Sequence, residues 1–221
     1  MIVRRLIAVL VVLALTACTT TRWDHSRDQH IVRKGETLYS ISFRYGIDAD
    51  ELARWNRLGD GSLIYPGQVI RLTPPSGSTA ATRGSTRQRP LPAIPSQPPP
   101  PWSWPTQGRI DVEFGGNPGP GTGVLIDGRA GQPIVAAASG QVVYAGSGLI
   151  GYGQLIIIKH NDTYLSAYGY NASLLVKEGQ AINKGQQIAT MGEGPERKPR
   201  LHFEIRRNGK PVNPRQYLPA R

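Results

Sequence analysis

A proline-rich, acid-free segment in the middle of the chain sets the strongest limit on how this sequence folds. Ten of the 19 prolines lie between Pro74 and Pro105, and this stretch contains no Asp or Glu and no apolar period. Such a composition buries too little apolar surface to offset the conformational entropy lost on folding. We therefore predict a disordered linker over 74–103, with polyproline stretches, that joins two separately folded regions.

The N-terminal segment is typical of a lipoprotein signal peptide. Two arginines precede a charge-free stretch over 6–17, which is shorter than the roughly 20 residues that a spanning helix needs. Leu15-Thr16-Ala17-Cys18 then resembles a bacterial lipobox, and Cys18 is the single cysteine of the chain. We predict a signal peptide over 1–17, lipidation at Cys18 and a lipidated tether over 18–29. The alternative is a secreted protein with an incidental cysteine.

Acyl chains on Cys18 would hold the protein at a membrane, because each buried methylene contributes about 0.8 kcal/mol. Thr19 follows the cysteine, whereas lipoproteins of the inner membrane often carry Asp there. The resemblance therefore implies an outer-membrane anchor that faces the periplasm. Loss of the signal peptide lowers the formal net charge from +11 to +9. The remaining positive charge is spread unevenly over the chain, and no nucleic-acid partner is expected.

Residues 30–73 predict a compact β-α-α-β unit. Apolar side chains at Leu38 and Ile41 have helical spacing, and Gly46 is expected to end that helix. Asp48 is suited to cap a second helix, and a short strand is expected at each end of the unit. Basic and acidic residues nearly balance over 22–73, which suits a neutral ligand.

This unit resembles a LysM domain over its full length. The resemblance is carried by Val32, Gly35, Thr37, Leu38, Ile41, Tyr45, Gly46, Leu52, Asn56, Pro66, Gly67, Gln68 and Ile70. Because LysM domains bind glycans that contain N-acetylglucosamine, the resemblance implies a peptidoglycan-binding module. It places the groove between two loops, at Gly35, Glu36, Thr37, Leu38, Ile64, Tyr65, Pro66 and Gly67. The alternative, strongest for Leu38, is that these residues only build the fold.

Residues 104–221 predict a mainly antiparallel β domain. Short alternating or apolar segments recur near 110–114, 140–144, 155–168 and 201–205, and glycine-containing turns separate them. No stretch of this region has a sustained helical period. The predicted chain is thus a small α+β domain, a linker and a larger β domain.

The β region resembles the M23 (LytM, lysostaphin-type) peptidases. The matching segments are Gly131-Gln-Pro-Ile-Val-Ala-Ala137, Gly140-Gln-Val-Val-Tyr-Ala-Gly146, Gly151-Tyr-Gly153, Ile158-Lys-His160 and Leu201-His-Phe-Glu204. Active members hold zinc with the His and Asp of an H-x-x-x-D motif and the second His of an H-x-H motif. Two further histidines assist the attacking water, as zinc hydrolysis requires.

Four of these five positions carry other residues here. Alignment back from Gly131 places the H-x-x-x-D positions at Gly121 and Leu125, and neither side chain can ligate zinc. The assisting histidines correspond to Tyr170 and Arg200, so only His202 remains. The resemblance therefore implies a protein with no metal, no cofactor and no catalytic residues. Asp127 could add one ligand to His202, and residual zinc endopeptidase activity is the remaining alternative.

The chain as a whole combines a lipobox, a LysM unit, a proline-rich linker and a degenerate M23-like domain. This arrangement resembles the murein hydrolase activators of the NlpD type, to which the EnvC type is related. The resemblance implies binding of a periplasmic N-acetylmuramoyl-L-alanine amidase during septal cell-wall splitting. The binding surface would be the vacated groove, at Gly121, Leu125, Tyr170, Arg200 and His202. Basic residues near this groove form either a solvated face or an attractive surface for an acidic partner segment. The rival function is a lipoprotein that only tethers peptidoglycan.

Overall fold

The computed structural model describes residues 28–59, 63–75 and 96–220. The predicted signal peptide, the lipidation site Cys18 and most of the predicted linker lie outside these ranges. None of the described residues forms a helix long and apolar enough to cross a membrane.

The N-terminal domain has the predicted β-α-α-β order. Its elements are β1 (Gln29–Ile31), α1 (Leu38–Tyr45), α2 (Ala49–Asn56) and β2 (Val69–Arg71), with β1 and β2 antiparallel. Gly46 ends α1 in the left-handed conformation, which glycine adopts without steric cost. The Asp48 side chain accepts hydrogen bonds from the first backbone amides of α2. The predicted end of α1 at Gly46 and the predicted cap of α2 at Asp48 are therefore confirmed.

The C-terminal domain is a mainly antiparallel β structure, as predicted. Its strands are β3 (Ile110–Val112), β4 (Val124–Asp127), β5 (Pro133–Val135), β6 (Gly140–Gly146), β7 (Gln154–Lys159), β8 (Tyr164–Leu174), β9 (Ala181–Ile182), β10 (Gln187–Met191), β11 (Arg200–Arg207) and β12 (Lys210–Val212). In the main sheet they follow the order β3-β4-β11-β8-β7-β6-β9, while β5 pairs with β10, which also pairs with β8. Strand β11 therefore lies between β4 and β8.

The sheet separates two apolar clusters. One side packs the large core of the domain, which includes Ile126, Tyr168 and Phe203. The other side carries a smaller cluster with Leu155 and Ile157. Residues of the N-terminal domain lie against this second side, so the two domains are in contact.

The segment 96–103 corrects the predicted linker boundary. Trp102 is buried in the core of the C-terminal domain, and the backbone amide of Ser103 donates to the Ala137 carbonyl at 2.9 Å. Gln97 likewise donates from its backbone to the Thr163 hydroxyl at 2.7 Å. The apolar indole ring outweighs the proline-rich composition here, so this segment belongs to the C-terminal domain and not to a linker.

Candidate functional site

One face of strand β11 carries the polar residues of the candidate site. Side chains alternate across a strand, so His202, Glu204 and Arg206 share one face. Leu201, Phe203 and Ile205 point to the other face and join the large core. All of these residues are buried, which means that the polar face of β11 is covered as well.

Glu204 is the centre of a buried ionic network. His202 Nε2 donates to Glu204 Oε1 at 2.8 Å, Arg206 Nε donates to Oε2 at 2.8 Å, and the Thr122 hydroxyl also donates to this carboxylate. Burial alone raises the pKa of Glu204, but the Arg206 charge and the hydrogen bond from His202 outweigh it and hold the pKa at about 2. Glu204 is therefore ionised at neutral pH and fixes the orientation of the His202 ring.

Apolar and aromatic side chains surround His202 on the remaining sides. Leu125 lies directly opposite it in the β4–β11 register. The rings of Tyr170 and Tyr152 make edge-on contacts with the imidazole, at centroid distances of 5.8 and 5.4 Å. His202 is 1% exposed as a result, and its Nδ1 has no hydrogen-bond partner among the described residues. The position that the sequence identifies as a vacated catalytic centre is filled with packed side chains.

Tyr170 reaches this position because the backbone of β8 is distorted there. Its φ is +61°, a left-handed conformation that is uncommon for a residue with a side chain. The register between β8 and β10 shifts at the same place, and the Gly192 amide donates to the Tyr170 carbonyl at 2.8 Å. A Cβ atom at Gly194 would come within 2.9 Å of the Tyr170 ring, so glycine is required for the ring to fit.

Arg200 differs from its predicted role as an exposed partner-binding charge. Its side chain is 3% exposed, and it pairs with Asp111 at 2.5 Å and with Asp127 at 3.5 Å. Arg206 is buried and paired in the same way, so these two residues do not form a basic surface. Both acidic partners come from strands or loops distant in sequence, which explains why the charge pattern of β11 alone is misleading.

The structure brings together Leu125, Tyr170 and His202, whereas Gly121 lies in the loop before β4. Gly121 is half-buried and Gly119 is exposed, and together they form a glycine-rich rim. A Cβ atom added at Gly119 would lie within 4 Å of both Leu125 and Tyr170. The partly exposed surface at the candidate groove is therefore this rim together with Tyr152. The floor below it is closed.

The predicted glycan-binding loops of the N-terminal domain are a mixture of exposed and structural residues. Tyr65 is 59% exposed, and Gly35, Pro66 and Gly67 are exposed as well. Leu38 and Ile64 instead pack with the small core of this domain, as the structural alternative for Leu38 states. The Thr37 side chain caps α1.

Glu36 is committed to contacts within its own domain. Its carboxylate lies 2.6 Å from His30 Nε2 and 2.7 Å from Arg44, and it accepts from the Arg33 amide at 2.8 Å. Although burial raises the pKa of Glu36, these hydrogen bonds bring the pKa below its ordinary value. The carboxylate therefore orders the loop and is not a free ligand for a sugar.

Sequence reasoning did not identify Glu204, Tyr152 or Thr122 as site residues. For Glu204 a signal exists, since the alternation His202-Phe203-Glu204 places an acid beside the one retained histidine. Tyr152 lies between two glycines in a motif used only for the family resemblance. Thr122 has no local signal, because its role depends on the pairing of β4 with β11.

His160 has a structural role at the turn between β7 and β8. Its Nδ1 donates to the Ser139 carbonyl at 2.8 Å, and its Nε2 lies 2.7 Å from the Ser166 hydroxyl. Burial lowers the pKa of His160 to about 4, so the ring is neutral at pH 7. Among the described residues no group of three or more His, Cys, Asp or Glu side chains is arranged to hold a metal ion.

Two family models match the chain. A LysM domain model matches residues 30–73, and the model of peptidase family M23 matches residues 119–214. The N-terminal and C-terminal domains are accordingly called the LysM domain and the M23-like domain below.

Known bacterial lipoproteins are similar to most of the chain. A lipoprotein NlpD/LppB homolog of Pseudomonas aeruginosa is 43% identical over 234 residues, which cover 87% of this chain and 77% of that protein. The uncharacterized lipoprotein YgeR of Escherichia coli is 38% identical over 208 residues, covering 88% of this chain and 82% of that protein. The murein hydrolase activator NlpD of E. coli is 56% identical over 120 residues, which cover 54% of this chain but only 32% of that protein.

These similarities confirm the resemblance drawn from the motifs, a LysM domain followed by an M23-like domain in a lipoprotein of the NlpD type. The match to the Pseudomonas relative extends over both domains at well above 30% identity. The chain belongs to the NlpD/LppB lipoprotein family.

Proposed function

We propose that this protein is a non-catalytic activator of a periplasmic peptidoglycan amidase, anchored to the outer membrane through Cys18 and acting in septal cell-wall splitting. The observation that carries the proposal is the filled catalytic position of the M23-like domain. A family relative of E. coli carries the name murein hydrolase activator, which fits a protein that acts on cell-wall hydrolysis through another enzyme.

The residues around His202 do not fit the zinc ion of active M23 peptidases. A hydrolytic zinc site needs about three protein ligands and an open position for water. Here Leu125 stands opposite the histidine, Tyr170 covers it, and the histidine Nε2 is bound to Glu204. Arg200 and Tyr170 replace the two assisting histidines, so no base is aimed at a water. The alternative of residual zinc endopeptidase activity has no support in this arrangement.

The LysM domain supplies the contact with peptidoglycan in this proposal. Its exposed loop residues, among them Gly35, Tyr65 and Pro66, offer a surface with one aromatic ring. Aromatic rings and backbone amides suit a neutral glycan strand. Glycan binding keeps the protein on its polymeric target while the M23-like domain engages the amidase.

The M23-like domain engages the amidase at the rim of the filled groove. Gly119, Gly121 and Tyr152 are partly or fully exposed there, and the glycines leave room for a segment of the partner. Activation requires that this surface bind the active conformation of the amidase more tightly than the inactive one, because equal affinity shifts no equilibrium.

The decisive experiment measures release of labelled peptidoglycan from sacculi by each amidase of the organism, with and without the full chain. We expect stimulation of one amidase and no release by the chain alone. Tyr170→Ala should abolish most of the stimulation, because the ring supports the groove rim. Tyr217→Ala is the matched control, since it removes a partly buried tyrosine that packs on Tyr164.

Three outcomes would contradict the proposal. Release by the chain alone, stopped by a chelator, would establish an enzyme. Binding to sacculi without stimulation of any amidase would establish the rival peptidoglycan-tethering function. Equal stimulation by the Tyr170→Ala and Tyr217→Ala variants at equal melting temperatures would place the amidase-binding surface outside the groove.

A further inference from the structure

The LysM domain carries an aromatic residue outside its own core. Leu38 and Ile41 of helix α1 face the small core of the LysM domain. Phe43 on the same helix is 2% exposed, yet it packs with Leu149, Leu155 and other residues of the M23-like domain. An isolated LysM domain would expose this ring, so the burial of Phe43 depends on the contact between the domains.

Phe43 also binds the ionic network of the candidate groove. Arg206 donates from a terminal nitrogen to the Phe43 carbonyl at 2.5 Å. The guanidinium carbon of Arg206 lies 3.3 Å from the centroid of the Phe43 ring, a cation–π geometry. The same arginine holds Glu204, which orients His202. A continuous set of contacts thus leads from the LysM helix to the groove floor.

A second set of contacts leads to the wall of the groove. Arg44, next to Phe43, donates to the Gly148 carbonyl at 3.3 Å and pairs with Glu36 of the predicted glycan-binding loop at 2.7 Å. The Phe43 ring contacts the Tyr152 ring edge-on, at a centroid distance of 5.4 Å. The segment 148–152 is therefore held from the LysM side at its first and last residues.

Tyr152, the last residue of this segment, contacts both the LysM domain and the candidate groove. Its ring covers His202, and its hydroxyl lies 3.2 Å from the Thr122 hydroxyl. It also forms part of the wall of a cleft of about 440 Å³ between the two domains, where Tyr45 and Ile150 are 40% and 94% exposed. Tyr152 therefore contacts the LysM helix through Phe43 and the groove floor through His202.

We propose that Phe43 is a positioning residue for amidase binding: the docked LysM helix holds the segment 148–152 in the shape that the amidase recognises. This inference rests on the function proposed above. Without the contact, the segment would be ordered only when the amidase binds, and ordering one or two side chains weakens binding. The LysM domain then has a second role besides glycan binding, as a structural part of the amidase-binding surface.

The test compares Phe43→Ala with the unchanged full chain in the sacculus assay over a range of concentrations. We expect the concentration for half-maximal stimulation to rise about two- to tenfold, with the maximal stimulation unchanged. Trp55→Ala is the matched control, because Trp55 lies on the other helix, packs on the LysM core and takes part in none of the interdomain contacts described above. It should leave the half-maximal concentration unchanged. Phe43→Tyr, which keeps the ring, should restore it.

Amide hydrogen exchange of the segment 148–152 tests the positioning without any amidase. Exchange should accelerate in Phe43→Ala and not in Trp55→Ala. Unchanged exchange in Phe43→Ala overturns the positioning role, even if the chain proves to be an activator. A lower half-maximal concentration in Phe43→Ala also overturns it, since the docked LysM domain would then restrain binding. If exchange accelerates but no amidase is stimulated by the unchanged chain, the function proposed above fails and the positioning of the segment stands.

Discussion

The predicted binding surfaces of the two domains differ in their exposure to solvent. In the LysM domain the loop residues Tyr65, Pro66 and Gly67 are exposed, and the backbone amide of Tyr65 donates to the Gln68 side chain within the same turn. In the M23-like domain the positions inherited from a catalytic centre, such as Leu125 and His202, are 2% and 1% exposed. The difference shows that the positions aligned with the M23 active site belong to the packed interior of this domain. The surface that stays exposed beside them is the glycine-rich rim with Tyr152.

The largest expected effect comes from removing the Glu204 carboxylate, which is the centre of the buried ionic network. It tests whether this centre is part of the core. In Glu204→Ala, Arg206 and His202 keep their burial but lose the carboxylate that compensates them. Loss of one partner of a buried ion pair costs about 3–5 kcal/mol, and we expect that loss in the free energy of unfolding of the M23-like domain. Urea titration followed by circular dichroism measures it.

Glu113→Ala is the control for this substitution. Glu113 pairs with Arg215 at 2.9 Å on the surface of the same domain, with both side chains more than half exposed. Exposed ion pairs contribute little, so a small change is expected. Equal losses in the two variants would mean that the inherited centre is not part of the core.

Substitution of Arg200 should have the next largest effect on the free energy of unfolding. It compares a buried arginine with an exposed one on the same domain. Arg200→Ala removes a buried guanidinium that forms ion pairs with Asp111 and Asp127, and because both carboxylates are partly exposed, we expect a loss of about 2 kcal/mol in the free energy of unfolding, less than for a fully buried pair. Arg109 also pairs with Asp127, at 3.9 Å, but is 82% exposed. Arg109→Ala should leave the urea midpoint nearly unchanged. A loss of amidase stimulation in Arg200→Ala at unchanged stability would restore the original prediction of a partner-binding charge.

Local features of the fold could be predicted from the sequence. The helix ends at Gly46 and Asp48 were predictable, because these residues act through their own backbone and on the next few residues. Most strands of the M23-like domain were predictable from local alternation. The short strand β12 (Lys210–Val212) was not, since it contains a proline and only three residues.

Pairing between distant segments was the part that escaped prediction. The acidic partners of Arg200 come from β3 and β4 and the partner of Phe43 comes from β11, and no local period indicates them. The substituted catalytic positions were identified from the family motif, yet the motif could not tell whether the vacated space is open. That answer depends on the left-handed backbone at Tyr170, which a tyrosine rarely adopts.

His160 gives a smaller, pH-dependent effect that sharpens the distinction between structural and functional histidines. Burial lowers its pKa from 6.5 to about 4. Between these values the unfolded chain binds a proton that the folded chain does not, so the free energy of unfolding falls as the pH is lowered through this window. From pH 7 to pH 5 the loss should be about 2 kcal/mol, at about 1.4 kcal/mol for each pH unit below 6.5.

The measurement is the urea midpoint of the M23-like domain at pH 7 and pH 5. His160→Gln should show a much smaller difference between the two midpoints than the unchanged chain, although it is less stable at pH 7. Glu204 does not contribute to the difference between pH 7 and pH 5, because its lowered pKa affects the free energy of unfolding only as the pH falls from about 4.5 towards 2. Equal pH dependence in the two chains would assign the acid sensitivity to other groups.

Tyr65 gives the smallest expected effect on stability, and its binding effect tests the exposed side of the comparison. The ring is 59% exposed and packs in no described core cluster, so Tyr65→Ala should change the free energy of unfolding by less than about 0.5 kcal/mol. If the ring contacts glycan, its removal should raise the Kd for sacculi about five- to tenfold, as for an aromatic contact residue. Leu175→Ser is the control, since Leu175 is similarly exposed, at 53%, on the M23-like domain. An unchanged Kd in Tyr65→Ala would move glycan binding away from this loop, and then exposure alone would not mark the functional surface of either domain.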